Sequence, residues 1–134
     1  MSLEIQQRDA EGIVIFDLKG RLTVGEATNL REQVIEAVKQ GRIKIILNLA
    51  GVEYIDSTGL GGMVICFTTL QKAGGSLKLE NLNKRNIELI VLTKLHTVFE
   101  IFSEEQDAVN SFFPNREIKR FDILSFIQQQ HEKE

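Results

Sequence analysis

Apolar residues fall into short runs from the start of the chain. Leu3–Gln7 and Ile13–Leu18 are separated by the polar turn Asp9-Ala10-Glu11-Gly12, which predicts a pair of strands. Gly20 ends the second. Thr23 and Glu26 then stand at capping-box spacing, so a hydroxyl and a carboxylate would satisfy free backbone N–H groups at a helix start. Ala27, Leu30, Val34 and Val38 recur at intervals of three and four, and Gly41 stands where a left-handed C-terminal cap is wanted. Ile43–Leu49 is nearly continuous in apolar residues and rich in β-branched ones. That is the composition of a central strand covered on both faces.

Val52–Ile55 leads into Asp56-Ser57-Thr58-Gly59, and a second helix carries Leu60, Val64, Phe67 and Leu70 toward the core until Gly74-Gly75 stops it. Ser76–Glu80 alternates as a strand does, and Asn81-Leu82-Asn83 forms a loop. A third helix is predicted over Arg85–Lys94 and a strand over Thr97–Phe102. Ser103 with Gln106 offers a second capping box, before a helix bearing Val109, Phe112 and Phe113 that Pro114 would end. Strands alternating with helices imply an α/β domain, because crossover helices let neighbouring strands run parallel. The domain is predicted over residues 1–113. In the extension 114–134, Ile118, Phe121, Leu124 and Ile127 recur every three residues and Gln128-Gln129-Gln130-His131 is wholly polar, which predicts a short amphipathic helix. It would pack on the domain's own surface or serve as a homodimer or partner contact.

Composition narrows the function. At 134 residues the chain is the size of one domain, burying roughly two thirds of its unfolded surface. A formal charge of −3 argues against a nucleic-acid partner, since phosphate backbones are held by clustered Lys and Arg. The local basic run Lys39–Lys44, with Arg42, suits a helix C-terminus. The opening MSLEIQQRDAEG lacks the basic-then-apolar order of a signal peptide, and no apolar run approaches the ~18 residues of a membrane span. A cytoplasmic protein without direct membrane insertion is expected.

Enzyme chemistry is hard to assemble. His96 and His131 lie at ligand spacing neither from each other nor from Cys66, so no zinc site or His-based triad emerges. The single cysteine, Cys66, permits no intramolecular disulfide and reads as a small core hydrophobe. Gly59, Gly61 and Gly62 lack the GxxxxGK[ST] frame of a phosphate loop, and close helix packing or a flat docking surface would need small residues equally. Nothing in the spacing pairs the carboxylates of Asp17, Glu53, Asp56 and Glu80. No cofactor is expected.

What remains is Tyr54-Ile55-Asp56-Ser57-Thr58-Gly59-Leu60-Gly61-Gly62, at the junction of a predicted strand and a predicted helix. Ser57 there is either an N-cap, worth about 1 kcal/mol, or a hydroxyl exposed to a kinase. The two roles can coexist. A phosphate at a helix start adds about −1.5 to −2 charges and would remake a docking surface built from a neutral Ser57 and small glycines.

At this motif the chain resembles the STAS domains of bacterial anti-sigma-factor antagonists, in which a serine of D-S-[ST]-G follows the central strand. The matching residues are Asp56-Ser57-Thr58-Gly59, together with Gly20-Arg21-Leu22 before the first helix, the Lys44–Leu49 strand, and the order of elements to about Phe113. The resemblance implies a single STAS-like domain with a mixed sheet of about five strands and four to five helices. It implies that the unphosphorylated protein binds an anti-sigma factor of the serine-kinase type and so frees a sigma factor. Phosphorylation of Ser57 would abolish binding and a phosphatase would restore it. ATP would belong to the partner, and this chain would be substrate and binding module rather than enzyme.

The implied partner surface comprises Gly20, Arg21, Leu22, Thr23, Asp56, Thr58, Gly59, Leu60, Gly61 and Gly62, with the Asn81–Arg85 loop beside them. Two features depart from the family pattern: Thr23 where many relatives carry an acidic residue, and the long tail after Pro114. Two other readings are a STAS subunit of a larger assembly, such as a stress-signalling complex or lipid-transport accessory in which Ser57 is structural, and a small-ligand or nucleotide sensor.

Overall fold

The computed structural model describes residues 3–133, with side chains to residue 129; the side chain of His131 lies outside the described residues. Strands β1 (Leu3–Ala10), β2 (Ile13–Leu22), β3 (Lys44–Ile55), β4 (Ser76–Glu80) and β5 (Ile101–Phe102) form one sheet in the order β1-β2-β3-β4-β5. β1 and β2 form an antiparallel hairpin, and every later pairing is parallel. The helices are α1 (Val24–Lys39), α2 (Ser57–Lys72), α3 (Lys84–Leu92), α4 (Glu105–Asn110) and α5 (Ile123–Lys133).

Three crossovers of one hand, all stepping the same way across the sheet, place α1, α2 and α3 on one face. There Phe16, Leu30, Val34, Leu47, Met63, Leu70, Leu79 and Ile90 make the main core. Cys66 is buried among them, and burial pushes its thiol up to about 12. The opposite face is covered by the short α4, over Ile13, Ile15, Ile46 and Phe102. β3 lies in the middle with both faces covered, as its composition predicts.

Several local expectations give way to longer-range contacts. Thr23 is the N-cap of α1 by backbone conformation, but its side chain makes no capping bond, and Glu26 instead accepts a hydrogen bond from the Leu3 N–H at 3.2 Å. Ser103 and Gln106 form no capping box either: Glu104 holds the cap position and Gln106 donates to Asn110 at 2.9 Å. β5 is shorter than the predicted Thr97–Phe102, because Lys94 turns left-handed (φ 61°) and a 3-10 turn consumes Leu95–Thr97. That turn buries Phe99 edge-on against Phe67, centroids 5.5 Å apart. α4 stops before Pro114, at Asn110; Lys78 Nζ donates to the Ser111 carbonyl and hydroxyl at 3.2 and 2.9 Å, fixing the chain just past the helix end.

The extension is helical only from Ile123. Before it, Phe121 donates its N–H to the Ile101 carbonyl at 2.9 Å and Arg120 pairs with Glu100 at 3.0 Å, so the tail crosses the outer edge of β5. Its period of three does not mark one buried face: Phe121 packs on the main core while Leu124 is 80 % exposed.

On the α4 face, carboxylates that sequence spacing left apart converge. Arg8 binds Asp17 at 2.6 Å and also Glu105, and the fully buried Glu80 carboxyl is the neighbour of Glu105. Burial and the neighbouring Glu105 push the Glu80 carboxyl well above the ordinary carboxylate range, whereas the Arg8 guanidinium holds Glu105 and Asp17 below it. This network staples α4 to the sheet.

Candidate functional site: the junction of β3 and α2

The junction is built by two chain reversals locked together. Gly20, at φ 120°, sits where the β2–β3 register shifts, and beyond it Arg21 falls opposite Tyr54 and Leu22 opposite Ile55. Only glycine adopts that backbone readily. The Asp56 N–H then donates to the Leu22 carbonyl at 3.2 Å, so the exits of β2 and β3 share one bond.

Asp56, not Ser57, is the N-cap of α2: its backbone is extended (φ −94°, ψ −179°) and its Oδ1 accepts the Gly59 N–H at 2.7 Å. The capping role offered for Ser57 is therefore already filled. Ser57 is the first helical residue, exposed, and its hydroxyl has no partner among the described residues. A helix start with a carboxylate cap frees the next side chain for other use.

The glycines divide by function. A Cβ on Gly59 would sit 2.1 Å from the Leu22 carbonyl oxygen, and one on Gly62 would sit 2.9 Å from the Ala27 Cβ, so these two let α2 press against the β2 exit and against α1. A Cβ on Gly61 would meet nothing within 4 Å, and this residue faces solvent. Leu22, Gly59, Leu60 and Gly62 are buried and support the surface from behind. Arg21, Ser57, Thr58 and Gly61 are exposed, with Gly20, Thr23 and Asp56 half-buried.

Residues outside the motif complete the face. Ile65, 44 % exposed, lies one helical turn beyond Gly61 on α2, and Val24, 68 % exposed, opens α1. The signal for Ile65 was present as four-residue spacing from Gly61, on the face opposite Cys66 and Leu70. Nothing local marks Val24. On the other flank, the side chains of Asn83 and Asn86 donate to the Val52 carbonyl at 3.2 and 2.9 Å, pinning the start of α3 beside β3. That brings Arg85 over the Tyr54 ring, 4.5 Å from its centroid, while Arg21 lies 5.1 Å from the same ring. Tyr54, Asp56, Ser57, Arg85, Glu88 and exposed Leu92 line a cleft of about 320 Å³.

Among the described residues there is no cluster of His, Cys, Asp and Glu able to hold a metal, and no helix is long and apolar enough to cross a membrane. The junction thus brings a free hydroxyl, small residues and two guanidinium groups together on one exposed face.

Comparison with known proteins agrees with this architecture. The STAS domain family model matches residues 4–108. The chain is 35 % identical over 109 residues to the anti-sigma-B factor antagonist of Bacillus subtilis (strain 168), covering 81 % of this chain and 99 % of that protein. A candidate anti-sigma factor antagonist from Thermotoga maritima, solved as a crystal structure, superposes with a TM-score of 0.76 at 25 % identity, over 80 % of this chain and 92 % of that one. The Bacillus protein SpoIIAA in its phosphorylated form shares the fold, with a TM-score of 0.64 at 21 % identity over 81 % of this chain and 99 % of that one. The chain belongs to the STAS domain family.

Proposed function

We propose that this protein is an anti-sigma-factor antagonist. Unphosphorylated, it binds an anti-sigma factor of the serine-kinase type and so releases a sigma factor; phosphorylation of Ser57 ends the complex and a phosphatase restores it. The observation that carries the reading is the exposed, unpartnered Ser57 hydroxyl at the first position of α2, with Asp56 already serving as the cap. The antagonist similar to this chain at 35 % identity is matched over 99 % of its length, so the reading draws on a whole small protein rather than a borrowed module.

The contact surface runs over Arg21, Val24, Ser57, Thr58, Gly61 and Ile65, with Gly20, Thr23 and Asp56 at its margins and Leu22, Gly59, Leu60 and Gly62 beneath. Thr23 leaves that surface without the acidic group many relatives carry, which selects among anti-sigma factors. A specific complex needs only ~800 Å² from each partner. The protein acts in the cytoplasm as substrate and binding module, and the nucleotide comes with the kinase. Residues 1–113 form the STAS unit and 114–134 an accessory segment, whose exposed Leu124 is its contribution to any second copy.

The test is an affinity capture from extract of the source cell with Ser57→Ala and Ser57→Asp baits. A kinase-type anti-sigma factor retained by the alanine bait and lost from the aspartate bait supports the reading. Retention of the same proteins by both refutes it and makes this a subunit of a constitutive assembly.

A further inference from the structure

The cation that lines the cleft beside the proposed phosphorylation site has no obvious structural duty. Arg85 is exposed and pairs with no carboxylate among the described residues; its guanidinium rests on the Tyr54 ring, 4.5 Å from the centroid. An exposed stack of this kind is worth only about 0.5–1 kcal/mol, little enough to be exchanged for a stronger partner. The fold nonetheless takes care to put Arg85 there. Asn83 caps α3 by accepting the Asn86 N–H at 2.8 Å, and both asparagine side chains donate to Val52, which places residue 85 at the cleft it shares with Ser57.

A phosphoserine at position 57 would meet a mixed environment. The Asp56 carboxylate lies beside it and already takes the Gly59 N–H, and Glu88 lines the same cleft, so two negative groups oppose a dianion there. The helix end alone is a poor match for that charge. Arg85 is the cation lining this cleft, and a planar guanidinium can donate two parallel bonds to phosphate oxygens. Arg21, on the same ring at 5.1 Å, is not among the cleft's walls.

We propose that Arg85 is the internal receptor for the phosphate on Ser57: on phosphorylation its guanidinium exchanges the Tyr54 ring for the phosphate, and the cleft closes over the modified residue. This inference rests on the reading of Ser57 as the phosphoacceptor. It adds a consequence that charge alone does not supply. Phosphorylation would also free the part of the Tyr54 ring under Arg85 while Asn83 and Asn86 keep the start of α3 in place, so the docking face changes beside Ser57 as well as at it.

The experiment uses full-length protein with phosphoserine incorporated at position 57 during translation, so that no kinase is needed, and follows the phosphorus resonance against pH. In the otherwise unchanged protein the second ionisation should lie about one unit below the ordinary value near 6, because an adjacent guanidinium favours the dianion. Arg85→Gln should return most of that shift, Arg85→Lys should keep part of it, and Arg21→Gln should leave it in place. An ionisation unmoved by Arg85→Gln, or one moved by Arg21→Gln instead, overturns the assignment. The same samples titrated with the anti-sigma factor separate this from the parent reading: if phosphoserine does not weaken binding, the switch itself fails whatever the resonance does.

Discussion

Gly59 and Gly61 lie two residues apart in one helix, and the structure demands opposite responses to the same added methyl group. At Gly59 the new Cβ would fall 2.1 Å from the Leu22 carbonyl oxygen and 2.8 Å from its carbon. That is more than about 1 Å inside the roughly 3.5 Å at which non-bonded heavy atoms rest. The obstacle is backbone, and that same carbonyl accepts the Asp56 N–H, so relief requires moving the β2 exit or the α2 start. Overpacking of this kind costs about 1–3 kcal/mol, more where the neighbour cannot yield. At Gly61 the Cβ meets nothing, and alanine gains about 0.5–1 kcal/mol over glycine in a helix. Because the helix-propensity gain is common to both, Gly59→Ala and Gly61→Ala should differ by the overpacking cost, about 1–3 kcal/mol or more in unfolding free energy, with wild type between them. Urea denaturation monitored by circular dichroism reads this as midpoints displaced in opposite directions at unchanged slope. Equal midpoints, or a Gly59→Ala protein as stable as wild type, would refute the packing argument.

Two further predictions concern parts of the fold away from the junction. Glu80 is raised from its ordinary 4.5 to about 8 by burial and by Glu105, so the folded state holds a proton that the unfolded state has released, and stability should fall as pH rises between those values. Glu80→Gln should flatten that decline and leave the acid limb below about 4.5 intact, because Asp17 and Glu105 are shifted the other way; thermal melts from pH 4 to 9 decide, and an unaltered slope counts against the buried pair. Phe121→Ala should cost about 1–2 kcal/mol, the value of a half-buried aromatic, since this side chain anchors the tail on the main core. Exposed Leu124→Ala should cost almost nothing, and a larger loss there than at Phe121 would mean that the tail packs on its other face.

Patterns that repeat within one element were legible in the sequence. Ala27, Leu30 and Val34 are buried as their spacing predicts, Gly41 is left-handed, and the apolar run around Ile45–Leu49 is the covered middle strand. What failed were readings that treat a polar side chain as free to serve its own turn. Glu26 was expected to cap α1 and is claimed by the Leu3 N–H, from the neighbouring β1. Gln106 turns to Asn110, and Asp56 reaches the α2 N–H that Ser57 was offered. Nor does spacing foresee that Arg8 gathers Asp17 and Glu105 from sites far apart in the chain. At the candidate site the motif falls at the junction of β3 and α2 as its pattern predicts, but the split of its glycines into buried spacers and one open position needed the path of Leu22. The convergence of Arg21 and Arg85 on Tyr54 depends on a bulge at Gly20 and on two asparagines that clasp Val52.

In the proposed switch, one covalent group on Ser57 decides whether a partner can dock. Calorimetric titration of the purified anti-sigma factor with this protein, once unmodified and once carrying phosphoserine at position 57, measures that directly. The switch requires tight one-to-one binding of the unmodified form and at least about 100-fold weaker binding of the phosphorylated one, a difference of about 2.7 kcal/mol. Equal affinities for the two forms would contradict it.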